Sequence, residues 1–445
     1  MRRAPLWAAI ASVALLAACG GGGDGSEGDD GGGGIPATGE FVVFAWNDLG
    51  MHCLNPTYDS AVVLPPYNTV WAQVVERGNP PRIVTSGLDV TYRIVNNTTS
   101  QKASTVTSGS PAPSDFTGFW ANAQVLFDLP APLPPDMGLA GNRIDATAQA
   151  MVRNGSHFEA TGIPVTPLDD DLKWSPYQVA EITVRDAAGD VVAQTRATVP
   201  VSDEIRCDKC HGVTEEDFLV LHNDEEGTSL PLDEPVLCAS CHASPALGTP
   251  LQPGIPYLSE AIHSFHGDLD PGSRPTCLDC HPGEVTECNR SLRHTAADGN
   301  CTTCHGDLAE VGDSIDRGRV PWVEEPKCAT CHGGATIPEV DTGSTLYRNA
   351  AGHGGMACPA CHGSPHAMLP SREASDGYQA MQYQGMAITI GSCGVCHGSS
   401  RGDGADEFGE EHGGAGGHET ACHICHTVVP STPSLWPHAY KWNAR

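Results

Sequence analysis

Eight times in the second half of the chain, two cysteines stand three positions apart with a histidine directly after the second. The first cysteines are Cys207, Cys238, Cys277, Cys301, Cys328, Cys358, Cys393 and Cys422, and the second are Cys210, Cys241, Cys280, Cys304, Cys331, Cys361, Cys396 and Cys425. The histidines are His211, His242, His281, His305, His332, His362, His397 and His426. Two intervening residues place both thiols on one turn, where each can add to a vinyl group of the same porphyrin, and the next residue turns its imidazole toward the iron. The chemistry predicted is covalent attachment of eight haem c groups. Zinc ribbons share the paired-cysteine spacing, and an exported protein could oxidise such a pair to a disulfide. Neither requires the histidine: with 20 histidines in 445 residues, eight such placements by chance are on the order of one in 10¹¹. We number the sites I to VIII in chain order.

Each iron has a second face. The twelve other histidines are His52, His157, His222, His263, His266, His294, His353, His366, His412, His418, His423 and His438, ten of them in the second half, where only Met356, Met368, Met381 and Met386 could offer a thioether. Mostly bis-histidine, low-potential iron is expected. His222, His263, His266, His294, His353, His366, His418 and His438 are the expected distal ligands, with His412 and His423 in reserve. His157, in an Asn-Gly-Ser setting, is read as a surface or hydrogen-bonded side chain. His52 is read either as structural or as reaching a haem from the first half.

The elements that must position these sites are sparse. The motifs recur about every 31 residues, each unit too small to fold alone. Residues 204–445 carry only 11 aromatic side chains in 242 positions, and strand-like runs are missing. Eight macrocycles are therefore expected to form most of the core of an irregular, haem-cored domain with short helices and few strands. With so little protein per site, haem edges must lie close together, which favours rapid electron transfer.

Residues 39–203 differ. They hold one cysteine, Cys53, and 14 of the 26 aromatic residues. Runs rich in β-branched and aromatic residues predict strands at 41–46, 69–75, 90–95, 124–127, 179–184 and 191–199, the last two joined by a turn at 185–190. An all-β antiparallel sandwich, immunoglobulin-like, is expected. Asp169, Asp170 and Asp171 read as a solvated acidic turn rather than a calcium loop. Cys53 and Cys288 belong to no motif and read as a disulfide between the two halves or as two buried thiols.

At the start, Arg2 and Arg3 precede a short apolar run, so residues 1–18 read as an export signal. The sequence Leu16-Ala17-Ala18-Cys19 resembles the lipobox of bacterial lipoproteins, in which the cysteine is acylated, and residues 19–38 read as a lipidated cysteine on a flexible Gly/Asp-rich tether. No other stretch approaches membrane-spanning length. A net charge of −30 disfavours nucleic acid as a partner.

With the eight motifs in hand, the chain resembles the multihaem c-type cytochromes of the outer-membrane and extracellular electron-transfer kind. Asn47 to Cys53, Thr161 to Pro167, and Cys361-His362-Gly363-Ser364-Pro365-His366 also look like segments of such lipoproteins. The resemblance implies single-electron conduction through closely packed haems toward periplasmic or extracellular acceptors, by an outer-membrane lipoprotein on the cell surface or the periplasmic face. Other cytochromes or redox proteins, metal ions or minerals, and further copies of the chain are the implied partners. An electron carrier is expected rather than an enzyme. The alternative is an octahaem oxidoreductase acting on nitrite, hydroxylamine or a sulfur oxyanion at one open iron, and a weaker one makes the sandwich a substrate-binding module.

Overall fold

The computed structural model describes residues 39–78, 80–105, 113–212, 215–283, 285–294, 301–327, 345–392 and 394–397. The export signal, Cys19 and its tether, sites V and VIII, Cys393, His412, His418, His423 and His438 lie outside the described residues, as does the side chain of His353.

Two antiparallel sheets dominate residues 39–203. The first is built from β1 (Phe41–Asn47), β4 (Asn68–Glu76), β5 (Arg82–Val84), β10 (Val152–Asn154) and β11 (His157–Ile163), and the second from β6 (Asp89–Ile94), β9 (Gln149–Ala150), β12 (Val179–Arg185) and β13 (Val191–Thr198). Val43, Val70 and Ala72 of one and Tyr92, Ile182 and Ala197 of the other close on a single apolar core. Turn Asp186 to Asp190 joins β12 to β13 as expected, with Gly189 donating to the Asp186 carbonyl. Short pairs complete the region: β2 (His52–Cys53) with β14 (Val201–Ser202), β3 (Ala61–Val62) with β15 (Val236–Leu237), and β7 (Ala103–Ser104) with β8 (Ser114–Asp115).

The strand expected at 124–127 is instead the end of helix α1 (Thr117–Leu126). Phe119, Trp120, Ala123 and Leu126 are buried while Val125 is exposed. That is a 3.6-residue period, which a four-residue window cannot reveal. Conversely β11, in the interior of its sheet, was not foreseen. Its sequence His-Phe-Glu-Ala-Thr-Gly-Ile carries few β-branched residues, yet Phe158 and Ala160 turn inward in alternation. The acidic turn at 169–171 is partly engaged: Asp170 accepts from the buried Lys102 Nζ at 3.0 Å.

Strand β1 explains how the halves join. Val43 and Ala45 enter the core shared by the two sheets, whereas Val42, Phe44 and Trp46 on the opposite face pack with Ala360, Val395, Tyr383 and Ile390. Both faces are buried, as the unbroken apolar run Phe-Val-Val-Phe-Ala-Trp requires. β1 is also an edge strand, and an edge leaves backbone groups unpaired. Here they meet side chains: Val43 N–H is donated to Tyr383 Oη, Ala45 N–H to Gln379 Oε1 and Asn47 N–H to Ser364 Oγ. Residues 39–203 and the C-terminal half thus belong to one compact unit.

After Asp203 the chain runs through short helices: α2 (Glu215–Glu226), α3 (Leu258–Gly267), α4 (Cys277–Cys280), α5 (Thr302–His305), α6 (Leu308–Asp316), α7 (Cys358–His362), α8 (Tyr378–Gln384) and α9 (Gly394–His397). β15 is the one named strand here among the described residues. No helix among the described residues is long and apolar enough to cross a membrane.

Candidate cofactor sites

Each described motif is a single helical turn. In sites I, II, III and IV the N–H of His211, His242, His281 and His305 is donated to the carbonyl of the first cysteine, four residues back, at 3.1, 3.0, 2.8 and 3.0 Å. Site VI forms α7, and the described residues 394–397 of site VII form α9. One turn puts two side chains three positions apart on the same face, about 5–6 Å between Cβ atoms, so the two thiols project together. In site VI, Pro359 opens the turn and Gly363 closes it at φ 90°; a Cβ there would lie 2.7 Å from the Ala367 carbonyl oxygen.

The structure brings four of these motif histidines against four distant ones. Ring centres lie 5.8 Å apart for His211 and His266, 6.2 Å for His242 and His222, 6.0 Å for His281 and His263, and 6.1 Å for His305 and His366. Two imidazoles that bind one metal from opposite faces through bonds of roughly 2 Å hold their ring centres about 6 Å apart. All four distant partners are among the expected distal ligands. Among the described residues no group of three or more His, Cys, Asp or Glu side chains gathers as a metal cage. The donors come as imidazole pairs and thiol pairs, which is the donor set a haem c requires, its remaining four ligands being the porphyrin's own.

The far nitrogen of these rings is also fixed. Nδ1 of His242 is donated to the Pro256 carbonyl at 3.1 Å, of His263 to Ser259 at 2.6 Å, of His266 to Ile262 at 2.8 Å, and of His366 to Leu49 at 3.2 Å. A carbonyl only accepts, so Nδ1 carries the proton and Nε2 keeps its lone pair. His222 Nδ1 is 3.0 Å from Thr228 Oγ1, whose hydroxyl is donated to Asn223 Oδ1 at 2.7 Å, so the threonine oxygen accepts from the ring. This is the outer-shell pattern that orients metal-binding imidazoles. Desolvation lowers the proton affinity of His211, His263, His305 and His366, and takes His281 down to about 4 with the help of His263, His305 and His366 nearby. Neutral rings are what a metal needs.

The remaining histidines divide. His294 Nδ1 approaches Ser291 Oγ at 3.4 Å, and His294 is in none of the four pairs. His157 stacks on Trp71 at 4.8 Å and stands 3.5 Å from Glu159. His52, 5% exposed, has Nε2 bonded to Asp48 Oδ1 at 2.7 Å, which supports the structural alternative. Cys53 and Cys288 stand as free thiols. Burial pushes both up, Cys288 to about 11, and each thiol is close enough to Glu204 to feel its charge.

The sequence did not point to the supports. Asn47 Oδ1 accepts from the N–H of Leu49 and Gly50 and so shapes the loop that offers Leu49's carbonyl to His366. Arg290, 1% exposed, donates to the Gly50 carbonyl and to both carboxylate oxygens of Asp376. Two of the segments that carried the resemblance, 47–53 and 361–366, therefore touch each other. No family model matches the sequence, and no curated protein or solved structure matches it.

Proposed function

We propose that the chain is an exported multihaem c-type cytochrome that relays single electrons through closely spaced, mostly bis-histidine haems to a redox partner. The observation that carries this reading is the pairing of four motif histidines with four distant histidines at 5.8 to 6.2 Å. Each bound haem would supply an iron that accepts and returns one electron without changing its two axial ligands. The chain's own residues do the rest. The motif turn presents two thiols and one imidazole together, and a remote helix or loop supplies the opposing imidazole with its tautomer set by a hydrogen bond. Desolvation lowers the proton affinity of His211, His263 and His281.

The Leu-Ala-Ala-Cys19 segment and the tether after it support attachment to the outer membrane by lipid. The net charge of −30 suits a partner with a basic face, such as another cytochrome or redox protein, or a cationic metal acceptor.

The test is the intact mass of the exported protein together with electron paramagnetic resonance. Eight haem increments and low-spin ferric signals are expected. A mass without tetrapyrrole overturns the reading, and a high-spin iron that binds added small ligands replaces the relay with an enzyme.

A further inference from the structure

We propose that sites I to IV, whose motif histidines each face a distant imidazole, are strung in space in the order II, I, III, IV, with helix α2 joining the first two and helix α3 joining I to III. This rests on the haem reading above and goes beyond it, because chain order would place II between I and III.

The link between I and II is α2. It begins four residues after His211 and carries Phe218 and His222 one turn apart. The Phe218 ring centre lies 5.8 Å from that of His211 and 6.3 Å from that of His222, so one aromatic side chain touches both imidazole pairs. Site II then closes through His242 at 6.2 Å.

The link between I and III is α3, which carries a ligand for each. His266 opposes His211 and His263 opposes His281. Three positions apart on one helix, the two share a face with Cβ atoms about 5–6 Å apart. Both donate Nδ1 to the carbonyl four residues back, at 2.6 and 2.8 Å, so their rings are anchored to the helix in the same way. Neither ring can shift without α3 shifting, and the two sites are held at a fixed separation.

The link between III and IV is the contact of α3 with α6, the helix that starts three residues after His305. It is close because glycines face it: a Cβ on Gly312 would lie 2.5 Å from Ser264 Oγ, and one on Gly267 would lie 2.7 Å from the Ala309 Cα. Site IV is thereby tied to the end of the helix that holds His263.

The order predicts which sites feel one another's charge. Replacing a distal histidine by methionine raises the potential of that site, since thioether ligation favours the reduced iron. Two such sites titrate apart from the remaining low-potential haems, and the ferric thioether absorption reports them alone. The full-length, haem-loaded protein would be made as the double variants H222M/H266M (sites II and I), H263M/H266M (III and I), H263M/H366M (III and IV) and H222M/H263M (II and III). Comparison with the single variants gives the coupling in each pair, as in any double-mutant cycle. Because charge interactions fall at least inversely with distance, the II–III coupling is expected to be roughly half or less of the other three. A II–III coupling equal to or larger than that of I and II overturns the order. Should H263M/H266M fail to accumulate, H222M/H266M against H222M/H263M decides alone; should those fail, the alanine pairs are compared by the magnetic coupling of their high-spin irons. Wild-type protein without attached haem would instead overturn the functional reading, which keeps the two failures apart.

Discussion

The Nδ1–H of His366 is donated to the carbonyl oxygen of Leu49 at 3.2 Å, across 317 positions of sequence. The loop after β1 thereby orients an imidazole that faces His305 in the other half. The loop bends at Gly50, φ 83°, where a Cβ would lie 1.6 Å from the Pro365 carbonyl oxygen. Neither the dihedral nor the space accepts a side chain. Gly50→Ala is expected to cost about 2–3 kcal/mol from backbone strain and displacement of the 365–366 segment. Thermal melting checks the stability, and a new high-spin ferric signal reports the loosened His366. A variant with wild-type melting and spectrum would show that the loop does not hold the ligand.

Arg290 and Asp376 form a nearly dry pair, with side chains 1% and 5% exposed and two contacts at 2.8 and 3.0 Å. Arg290 also spreads over the Tyr177 ring at 5.2 Å and donates to Gly50. Removing one partner leaves a buried charge uncompensated, so Asp376→Asn is expected to destabilise by about 3–5 kcal/mol. Removing both, as R290M/D376L, should cost less than the sum of R290M and D376L made singly. Urea titrations of the four variants measure this, and simple additivity would mean the two charges do not act as a pair.

Burial raises the Asp203 carboxyl above its ordinary value of 3.8, against the opposing effect of hydrogen bonds from Ser114 and Trp174. A carboxyl whose folded pKa is raised binds its proton more tightly folded than unfolded. Its contribution is therefore fully present below the unfolded value and is lost as pH rises through the folded one. Asp203→Asn removes the titration and keeps a polar group beside both donors. The stability of the natural protein relative to this variant should fall as pH rises from 3.8 through the raised value, measured by urea unfolding across that range. A difference independent of pH would show that Asp203 does not titrate differently on folding.

Cys53 and Cys288 are half-buried thiols whose proton affinity is raised, above all by desolvation. The thiolate is the reactive form. At pH 8 the folded protein is expected to leave both unmodified by iodoacetamide over hours, while denatured protein labels both, as read by peptide mass without reduction. A peptide pair linked through these two cysteines in the native protein would restore the disulfide alternative.

How much the sequence revealed follows from how local each interaction is. The cysteine and histidine motifs are legible because the proposed thioether attachment needs residues on one turn, and the sequence contains that turn. Strands β1, β4, β6, β12 and β13 are legible because alternation and β-branched residues mark a pleated, half-buried surface. Pairing is not. His263 and His266 are three positions apart, yet face the motif histidines His281 and His211, and which faces which depends on how α3 lies between the two turns. The Leu49 carbonyl had no signal at all, since a backbone acceptor looks alike at every residue.

The strongest demand falls on the distal histidines one by one. His222, His263, His266 and His366 oppose motif imidazoles, whereas His52 bonds Asp48 and His157 stacks on Trp71. On the proposed haem reading, alanine at any of the first four should leave attachment of all eight haems intact, because the cysteines and proximal histidines remain, while converting one iron in eight to a high-spin, ligand-accessible form. Added imidazole should restore the low-spin signal by filling the vacated position. His52→Ala and His157→Ala should leave every iron low-spin and lower only stability, by about 1–3 kcal/mol for the hydrogen bond and packing lost. Resonance spectra of the six variants make the separation. A low-spin His266→Ala protein, or a high-spin His157→Ala protein, would show that ring separations near 6 Å do not mark the axial pairs in this chain.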